Sequence, residues 1–242
     1  MWTYLSPHFD DAAFSCGGLI WEQVQNGEEV LILTVCAGEP PTGALTDYAL
    51  GLHARWETGQ EAVALRREEN RRSCQILGAE EINLTIPDVI YRRSAVDGSP
   101  ICSSDEDLTA RLKVDEFELI DKLMQDFTKM IPQDSEIVSP LALGGHVDHR
   151  LTRTAIEKLE RSIQYYADFP YLIDVVDLHH DLEREMHNTL HPVSLTGLDK
   201  WQASIEAYAS QISTFWGSVT EMREAVQSYW EPVQGLRLWY FS

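Results

Sequence analysis

WTYLSPHFDD, residues 2–11, is the stretch that decides the fold, because a short apolar run passes directly into a cluster of ionisable side chains. The first four residues of this stretch predict a buried strand, and the pattern that follows predicts a helix ending near Gln25. We therefore expect His8, Asp10 and Asp11 to lie where the first strand ends.

A second cluster, GGHVDH at residues 144–149, follows a later strand that begins at Ile137 and Val138. The carboxyl ends of parallel strands open at one edge of an α/β sheet, so we expect the two clusters to meet there. Imidazole and carboxylate together suit a divalent metal such as zinc. A catalytic zinc site uses three protein ligands and one open position, and the clusters offer these with acid–base groups to spare.

Strand and helix patterns alternate along the rest of the chain. The nearly continuous apolar run of residues 29–36 is typical of a strand covered on both faces. We predict an α/β fold, a three-layer Rossmann-like sandwich with a mainly parallel sheet, in a single domain of residues 1–242. The further predicted strands are 82–86 and 164–167, and residues 239–241 fit either a short terminal strand or an apolar plug. The predicted helices are 47–77 (broken near Gly59), 116–130, 151–162 and 200–229, the last as one long helix or two. A chain reversal is predicted at His191 and Pro192.

Composition restricts the partners. The net charge of −20 disfavours nucleic acid, because such a surface repels a phosphate backbone. We expect a soluble cytoplasmic protein with no membrane partner, since neither a signal peptide nor an apolar run of about 18–20 residues is evident. The cysteines lack CxxC spacing and are expected to be free thiols. The oligomeric state, including a homo-oligomer, stays open.

The two clusters resemble motifs of the PIG-L/LmbE family of zinc-dependent N-acetylglucosaminyl deacetylases. Four segments in the family's order make the resemblance more specific than one short motif. They are residues 6–11 with CGG at 16–18, Arg66-x-x-Glu69 on a helix, Pro87-Asp88 at a strand end, and HVDH at 146–149, joined less specifically by Lys200 and residues 208–211.

The resemblance implies an LmbE-like fold with Zn²⁺ held by His8, Asp11 and His149. It implies that Asp10 is the general base and that His146 stabilises the oxyanion and protonates the leaving amine. The reaction would be attack of zinc-bound hydroxide on the amide of an N-acetylated amino sugar or its conjugate, a small-molecule partner. Zinc lowers the pKa of water to about 7, and a neighbouring carboxylate completes its deprotonation. We expect a carboxylate to keep His146 protonated.

Arg66 and Asp88 are the expected substrate-binding residues, and each has a structural alternative. Arg66 also fits a solvated surface ion pair, and Asp88 also fits a turn cap after Pro87. Asp148 fits either a partner that orients His146 or the N-cap of the following helix.

Two residues depart from the family motif. Phe9 replaces a proline, and we expect this change to alter only the turn. Ala12 replaces a frequent glutamate, and we expect the loss of that carboxylate to change substrate contacts or the electrostatics of the site. Ala12 supports the alternative of a non-catalytic sugar-conjugate-binding protein that retains the fold and metal. A nucleotide-binding protein is disfavoured, because CGG at 16–18 is no Gly-x-Gly-x-x-Gly and paired aspartates repel phosphate.

The acidic charge also predicts a pocket for a neutral or cationic sugar conjugate, unless Arg66, or Arg92 and Arg93, turn inward to meet an anion. The aromatic-rich residues 165–171 fit either a wall of that pocket or the core. The histidines at 179, 180, 187 and 191 lack the spacing of a second metal site.

Overall fold

Short apolar runs that alternate with helices assemble into one mainly parallel sheet, as the sequence predicts. A computed structural model describes residues 1–174, 182 and 184–241, and within them the sheet has seven strands in the order β3-β2-β1-β4-β5-β7-β6. Strands β1 to β5 are parallel to one another, whereas β7 is antiparallel to both β5 and β6. The strands are β1 (Trp2–Ser6), β2 (Val30–Thr34), β3 (Glu80–Asn83), β4 (Glu136–Pro140), β5 (Ile163–Tyr166), β6 (His187–Pro192) and β7 (Gly235–Tyr240).

Helices cover both faces of the sheet. Side chains alternate along a strand, so Tyr4 packs in the core on one face while Leu5 packs in the core on the other. The first core includes residues of α1, α3, α7 and α9, and the second includes residues of α5 and α6, which confirms the three-layer sandwich. The helices are α1 (Asp11–Gln25), α2 (Asp47–Arg55), α3 (Ala62–Leu77), α4 (Asp105–Leu108), α5 (Asp115–Met130), α6 (Val147–Glu157), α7 (Leu195–Glu206), α8 (Ala209–Phe215) and α9 (Val219–Trp230). In the described part of the chain, no helix has the length and apolar character that crossing a membrane requires.

Two adjacent glycines let α1 and α7 pack closely. A Cβ atom on Gly17 would lie 2.6 Å from Trp201 Cδ1, and one on Gly18 would lie 2.8 Å from Val193 Cγ1. Larger residues at these positions would push the helices apart. The glycine pair therefore serves helix packing, which removes the remaining support for a phosphate-binding loop.

The strand order reverses next to β1, because the chain continues to β2 on one side and returns to β4 on the other. Such a reversal opens a crevice at the carboxyl ends of the two strands. Residues 6–11, here called the β1 turn, leave the end of β1. Residues 144–149, here called the β4 turn, leave the end of β4 through glycines with left-handed φ angles of 76° and 73°. The two sequence clusters thus lie at the same crevice.

Two predicted boundaries differ in the structure. The strand predicted at 82–86 is shifted to β3, because the backbone pairs with β2 from Glu80 onward despite the polar residues at this edge. The helix predicted at 151–162 is α6, which begins earlier because the His146 side chain caps it. It ends earlier as well, since Glu160 adopts a left-handed φ of 51°.

The C-terminal part differs more. The reversal predicted at His191 and Pro192 is wrong, because both belong to β6, where proline is tolerated at the end of an edge strand. The helical stretch predicted at 200–229 divides into α7, α8 and α9. Of the four histidines weighed for a second metal, His179 and His180 lie outside the described residues, and the other two lie on β6.

Candidate metal centre and pocket

The β1 turn is held by its own side chains. Ser6 Oγ donates a hydrogen bond to the His8 carbonyl (2.5 Å), and the His8 backbone N–H donates to Asp11 Oδ2 (2.7 Å). From the C-terminal part of the chain, the Tyr208 hydroxyl donates to the Phe9 carbonyl at 2.8 Å. The His8 side chain is consequently held with Nδ1 at 3.3 Å from Asp11 Oδ2.

His149, in the first turn of α6, approaches Asp11 from the other strand. Its Nδ1 lies 2.6 Å from Asp168 Oδ1, which fixes the hydrogen on that nitrogen. Its Nε2 is buried without a hydrogen-bond partner in the described part of the chain, and lies 3.3 Å from Asp11 Oδ1. Asp11 is therefore flanked by two ring nitrogens, one on each carboxylate oxygen.

This arrangement fits a divalent metal. His8 Nε2 lies 3.1 Å from Asp148 Oδ2, so Nδ1 is the nitrogen with the free lone pair. Two lone pairs then face one carboxylate, which is stable only with a cation or protons between them. Ligands at about 2.0–2.1 Å around a tetrahedral zinc lie about 3.3 Å apart, which is the separation found on both sides of Asp11.

The same residues belong to other sets of ligand atoms. In the described chain, His8, His146 and His149 form one set with all atoms within 4.8 Å of one another, and His8, Asp88 and Asp148 form a second. In the second set both carboxylates approach His8 through Nε2. The residues present could thus hold a metal ion, and His8 is common to every arrangement.

The pKa values of the candidate ligands reflect their crowding. Burial opposes the charged form of His149, but Asp11 and Asp168 outweigh burial and raise its pKa to about 10. Burial opposes the charged form of His8 too, yet Asp88 and the other carboxylates nearby hold its pKa well above the usual range. Burial would raise the pKa of Asp11, but His149 and His8 lower it well below the ordinary value. The two imidazoles thus hold protons strongly, because the carboxylates around them favour positive charge.

His146 differs from the other two histidines. Its ring centroid lies 4.8 Å from that of His8 and 5.3 Å from that of His149, and it lines the pocket described below. Burial, with the charges of these two histidines, lowers the pKa of His146 to about 3. The expectation that a carboxylate keeps His146 protonated is therefore wrong. Its Nδ1 accepts a hydrogen bond from the Asp148 backbone N–H (3.1 Å), which leaves Nε2 as the nitrogen that carries the hydrogen.

The Asp148 side chain has neither of its two predicted roles, and only the backbone N–H of this residue holds His146. It is not the N-cap of α6, because the side chain that caps this helix is that of His146. Its carboxylate contacts His8 rather than His146. It also accepts a hydrogen bond from the Val89 N–H (3.0 Å) and lies 2.6 Å from Arg92 Nη2.

Asp10 is paired with Arg66. The guanidinium Nη2 lies 3.2 Å from Asp10 Oδ1, and the guanidinium carbon lies 5.0 Å from the ring centroid of Trp56. Arg66 is only 8% exposed, so the surface ion-pair interpretation is wrong for it and applies instead to Arg71, which pairs with Glu68. Burial raises the pKa of Asp10, and Arg66 opposes that rise. Asp10 occupies the N-cap position of α1, but its side chain makes no capping hydrogen bond.

A pocket opens onto this crevice. Its polar floor is formed by the β1 turn and His146, and its wall is largely apolar and aromatic. Asp88 lines the pocket and also accepts a hydrogen bond from the Ile90 N–H (3.1 Å), so it caps the turn, and its role in substrate binding stays a prediction. The pocket is lined by His8, Asp10, Asp11, Phe14, Tyr48, Leu52, Arg55, Trp56, Arg66, Asp88, Ile90, Asp105, Leu108, His146, Phe169, Pro170, Tyr171, Gln211, Thr214 and Phe215.

The aromatic residues 165–171 divide between the two predicted roles. Tyr165 and Tyr166 belong to β5 and are buried in the core. Phe169, Pro170 and Tyr171 follow the strand and line the pocket.

Two of the three arginines considered as anion receptors are engaged elsewhere. Arg92 is buried against Glu116 and Asp148, and Arg93 donates to the backbone carbonyls of Gly98 and Ala44. Neither lines the pocket among the described residues. The Arg92 and Arg93 part of the exception for an anionic substrate therefore loses its support, whereas Arg66 does line the pocket, where it pairs with Asp10.

Sequence reasoning missed Asp168, the partner of His149. The available signal was its position, since it directly follows the strand predicted at 164–167 and so lies at a third strand end. It missed Arg92 and Glu116 as neighbours of the site, because their contact joins segments that no local pattern connects. Trp56 and Phe215 in the pocket wall were missed for the same reason.

Comparison with known proteins finds deacetylases. The chain is 29% identical over 193 residues to 2′-N-acetylparomamine deacetylase of Niallia circulans, covering 69% of this chain and 66% of the relative. It is 27% identical over 187 residues to the protein of the same name from Streptomyces fradiae, covering 74% of this chain and 61% of the relative. The chain thus spans less than two thirds of the length of these relatives.

Among solved structures, the zinc-inhibited form of teicoplanin deacetylase superposes with a TM-score of 0.80 at 22% identity, covering 98% of this chain and 96% of that one. The N,N′-diacetylchitobiose deacetylase of Pyrococcus horikoshii gives a TM-score of 0.53 at 20% identity, covering 99% and 82%. These likenesses show a shared fold. The sequence model of the family described as "PIG-L: GlcNAc-PI de-N-acetylase" matches residues 3–159. Because this match covers well over half of the chain and includes both turns, the chain belongs to the PIG-L family.

Proposed function

We propose that the protein is a metal-dependent hydrolase that removes the N-acetyl group from an amino sugar or its conjugate. The observation that carries the proposal is the convergence of His8 Nδ1 and His149 Nε2 on Asp11, beside Asp10 and His146 at the floor of a pocket. The names of the relatives, which are N-acetyl sugar-conjugate deacetylases, support the same chemistry.

In this proposal His8, Asp11 and His149 hold the ion, and Zn²⁺ is the ion proposed because two imidazoles and a carboxylate are ligands it accepts. When bound, such an ion polarises an amide carbonyl and makes water more acidic. Asp148 and Asp168 hold the outer nitrogens of the two imidazoles, so the ligand nitrogens stay aimed at Asp11.

Asp10 is the proposed general base. It adjoins a ligand without being one, and burial raises its pKa toward the range in which a carboxylate exchanges protons efficiently. Asp10 takes the proton of the attacking water and then gives it to the nitrogen that leaves. Arg66 keeps the carboxylate oriented and limits the rise in its pKa.

His146 is the proposed oxyanion donor. Since its Nδ1 accepts a backbone hydrogen bond, the neutral ring presents Nε2–H as a donor. A neutral donor at the pocket floor stabilises the developing negative charge without a change of protonation. This role replaces the expected one, in which a protonated His146 would also supply the proton to the leaving amine.

The pocket wall favours a neutral or cationic sugar conjugate. Rings such as Trp56 and Tyr171 offer flat apolar faces for a sugar, while Asp88 and Asp105 accept hydrogen bonds from hydroxyl or ammonium groups. Arg66 and Asp88 are the proposed substrate contacts.

The decisive experiment is a release assay for acetate. Zinc-loaded protein is incubated with N-acetylated amino sugars and their uncharged, cationic and nucleotide conjugates, alongside chelated protein as control. We expect acetate from sugar conjugates only with metal present. Tight binding of a conjugate without acetate release would instead support the non-catalytic binding protein.

A further inference from the structure

Arg92 and Glu116 form a buried ion pair directly behind the candidate ligands. Glu116 is 1% exposed and Arg92 is 9% exposed, so both are removed from solvent. The Nη2 atom of Arg92 lies 2.6 Å from Glu116 Oε1 and also 2.6 Å from Asp148 Oδ1. One guanidinium therefore lies between two buried carboxylates.

The pair is anchored at each end. Glu116, in the first turn of α5, accepts a hydrogen bond from the Lys113 N–H through Oε2 (3.1 Å). Arg92 donates from Nη1 to the carbonyl of Pro87 (3.1 Å), the residue before Asp88, which lines the pocket. The planar guanidinium thus holds its position through hydrogen bonds to Glu116 and to the Pro87 carbonyl, together with the ion-pair contact to Asp148.

Asp148 links the Arg92–Glu116 ion pair to His8. Its Oδ1 faces Arg92, while its Oδ2 faces His8 Nε2 at 3.1 Å. A buried carboxylate needs a cationic partner, and a neutral His8 that binds a metal through Nδ1 is not one. Arg92 is therefore the charge partner that keeps Asp148 ionised and in the rotamer that His8 requires.

We propose that Arg92 and Glu116 are positioning residues: Glu116 anchors the guanidinium, the guanidinium fixes Asp148, and Asp148 holds His8 with Nδ1 toward Asp11. The inference rests on the proposed function, in which His8 is a metal ligand. Neither residue lines the pocket in the described chain, so neither contacts the substrate.

The test measures metal affinity in the full-length protein by competition between Zn²⁺ and a chromogenic chelator, and by the visible absorption spectrum of bound Co²⁺. Arg92→Lys keeps the charge but loses the planar bridge, so we expect an affinity about tenfold weaker and an altered Co²⁺ spectrum. Glu116→Gln should shift both readouts in the same direction by less. Arg93→Lys is the matched control, because Arg93 donates to backbone carbonyls away from the site and should leave both readouts unchanged.

A purely structural ion pair would lower the midpoint of urea unfolding of the chelated protein and leave metal affinity at the wild-type value. That result in Arg92→Lys and Glu116→Gln, or an equal loss in Arg93→Lys, overturns the inference. If Arg92→Lys does not fold, Glu116→Gln decides alone. Failure of the wild type to bind any divalent ion contradicts the proposed function as well, whereas wild-type affinity in the variants contradicts the positioning role only.

Discussion

The β1 turn and the β4 turn carry the same residue types and use them differently. In the β1 turn, His8, Asp10 and Asp11 all line the pocket. In the β4 turn, His146 lines it, whereas Asp148 and His149 are fully buried, with 0% exposure. One turn therefore presents its polar groups to a ligand, and the other directs most of them into the protein.

The difference shows which residues fix the orientation of the side chains at the site. Hydrogen bonds within the β1 turn fix its backbone, but its polar side chains still need partners from other segments that fix their orientation. The β4 turn supplies one of these partners, Asp148, and receives another, Asp168, from the next strand. Changes in the first turn should thus affect chemistry directly, while changes around the second should act through the ligands.

The largest expected effect tests the first half of this contrast. Asp10→Asn should retain the metal and lower kcat by about 10²–10⁴-fold, because in the proposed mechanism it removes the general base but not a metal ligand. Steady-state kinetics and metal analysis of the same preparation check both statements. Asp11→Asn serves as the contrasting variant and should lose metal affinity. Unchanged turnover in Asp10→Asn would exclude the role of base.

His146 is the member of the β4 turn that should behave like the β1 turn. His146→Ala should lower kcat by about 10²–10³-fold with little change in KM, since an oxyanion donor acts mainly in the transition state. Measurement of both constants on one substrate separates the possibilities. A loss confined to KM would make His146 a binding residue.

Asp168 should act only through His149. Asp168→Asn weakens the partner that fixes the ring, so metal affinity should fall by about 10–100-fold, and activity at limiting metal should follow it. Chelator competition measures the affinity. Asp199→Asn, an exposed aspartate on α7, is the control and should bind metal normally. Wild-type affinity in Asp168→Asn would show that His149 is held by packing alone.

The last prediction concerns the stability of the chelated protein rather than its activity. The pKa of His149 is raised to about 10 in the folded state, against an ordinary value of 6.5, so folding favours its protonated form. Its contribution to the free energy of unfolding is therefore complete below about pH 6.5 and is lost as the pH rises toward 10.

Urea denaturation of wild type and His149→Gln in the presence of chelator, at several pH values from 6 to 10, measures this linkage. The difference in unfolding free energy between the two proteins should shrink as the pH rises. A difference that grows with pH would mean that His149 is not the group that binds the proton.

Much of this architecture could be predicted from the sequence because its signals are local. Continuous apolar runs identify the inner strands, and the two histidine–aspartate clusters directly follow two of them. The boundaries of β3 and α6 could not be predicted, since backbone pairing extends one and a histidine side chain caps the other.

The orientation of the β4 turn could not be predicted either. In sequence Asp148 adjoins two histidines, and only the approach of Arg92 and His8 from other segments shows which way its carboxylate faces. The same holds for the protonation of His146, because burial and two neighbouring histidines outweigh any nearby carboxylate. Protonation states and side-chain orientations that depend on tertiary contacts cannot be predicted from the spacing of residues in the sequence.

The hydrogen bond from the Tyr208 hydroxyl to the Phe9 carbonyl limits how far this chain can be truncated. The match to the family ends at residue 159, and every motif residue named for catalysis lies before that point. Yet Tyr208, which braces the β1 turn, and Asp168, which braces His149, both come afterwards. A fragment that ends where the family match ends would keep the proposed site residues but lose Tyr208 and Asp168, which hold them in place. The smallest active fragment should therefore be longer than the segment that identifies the family.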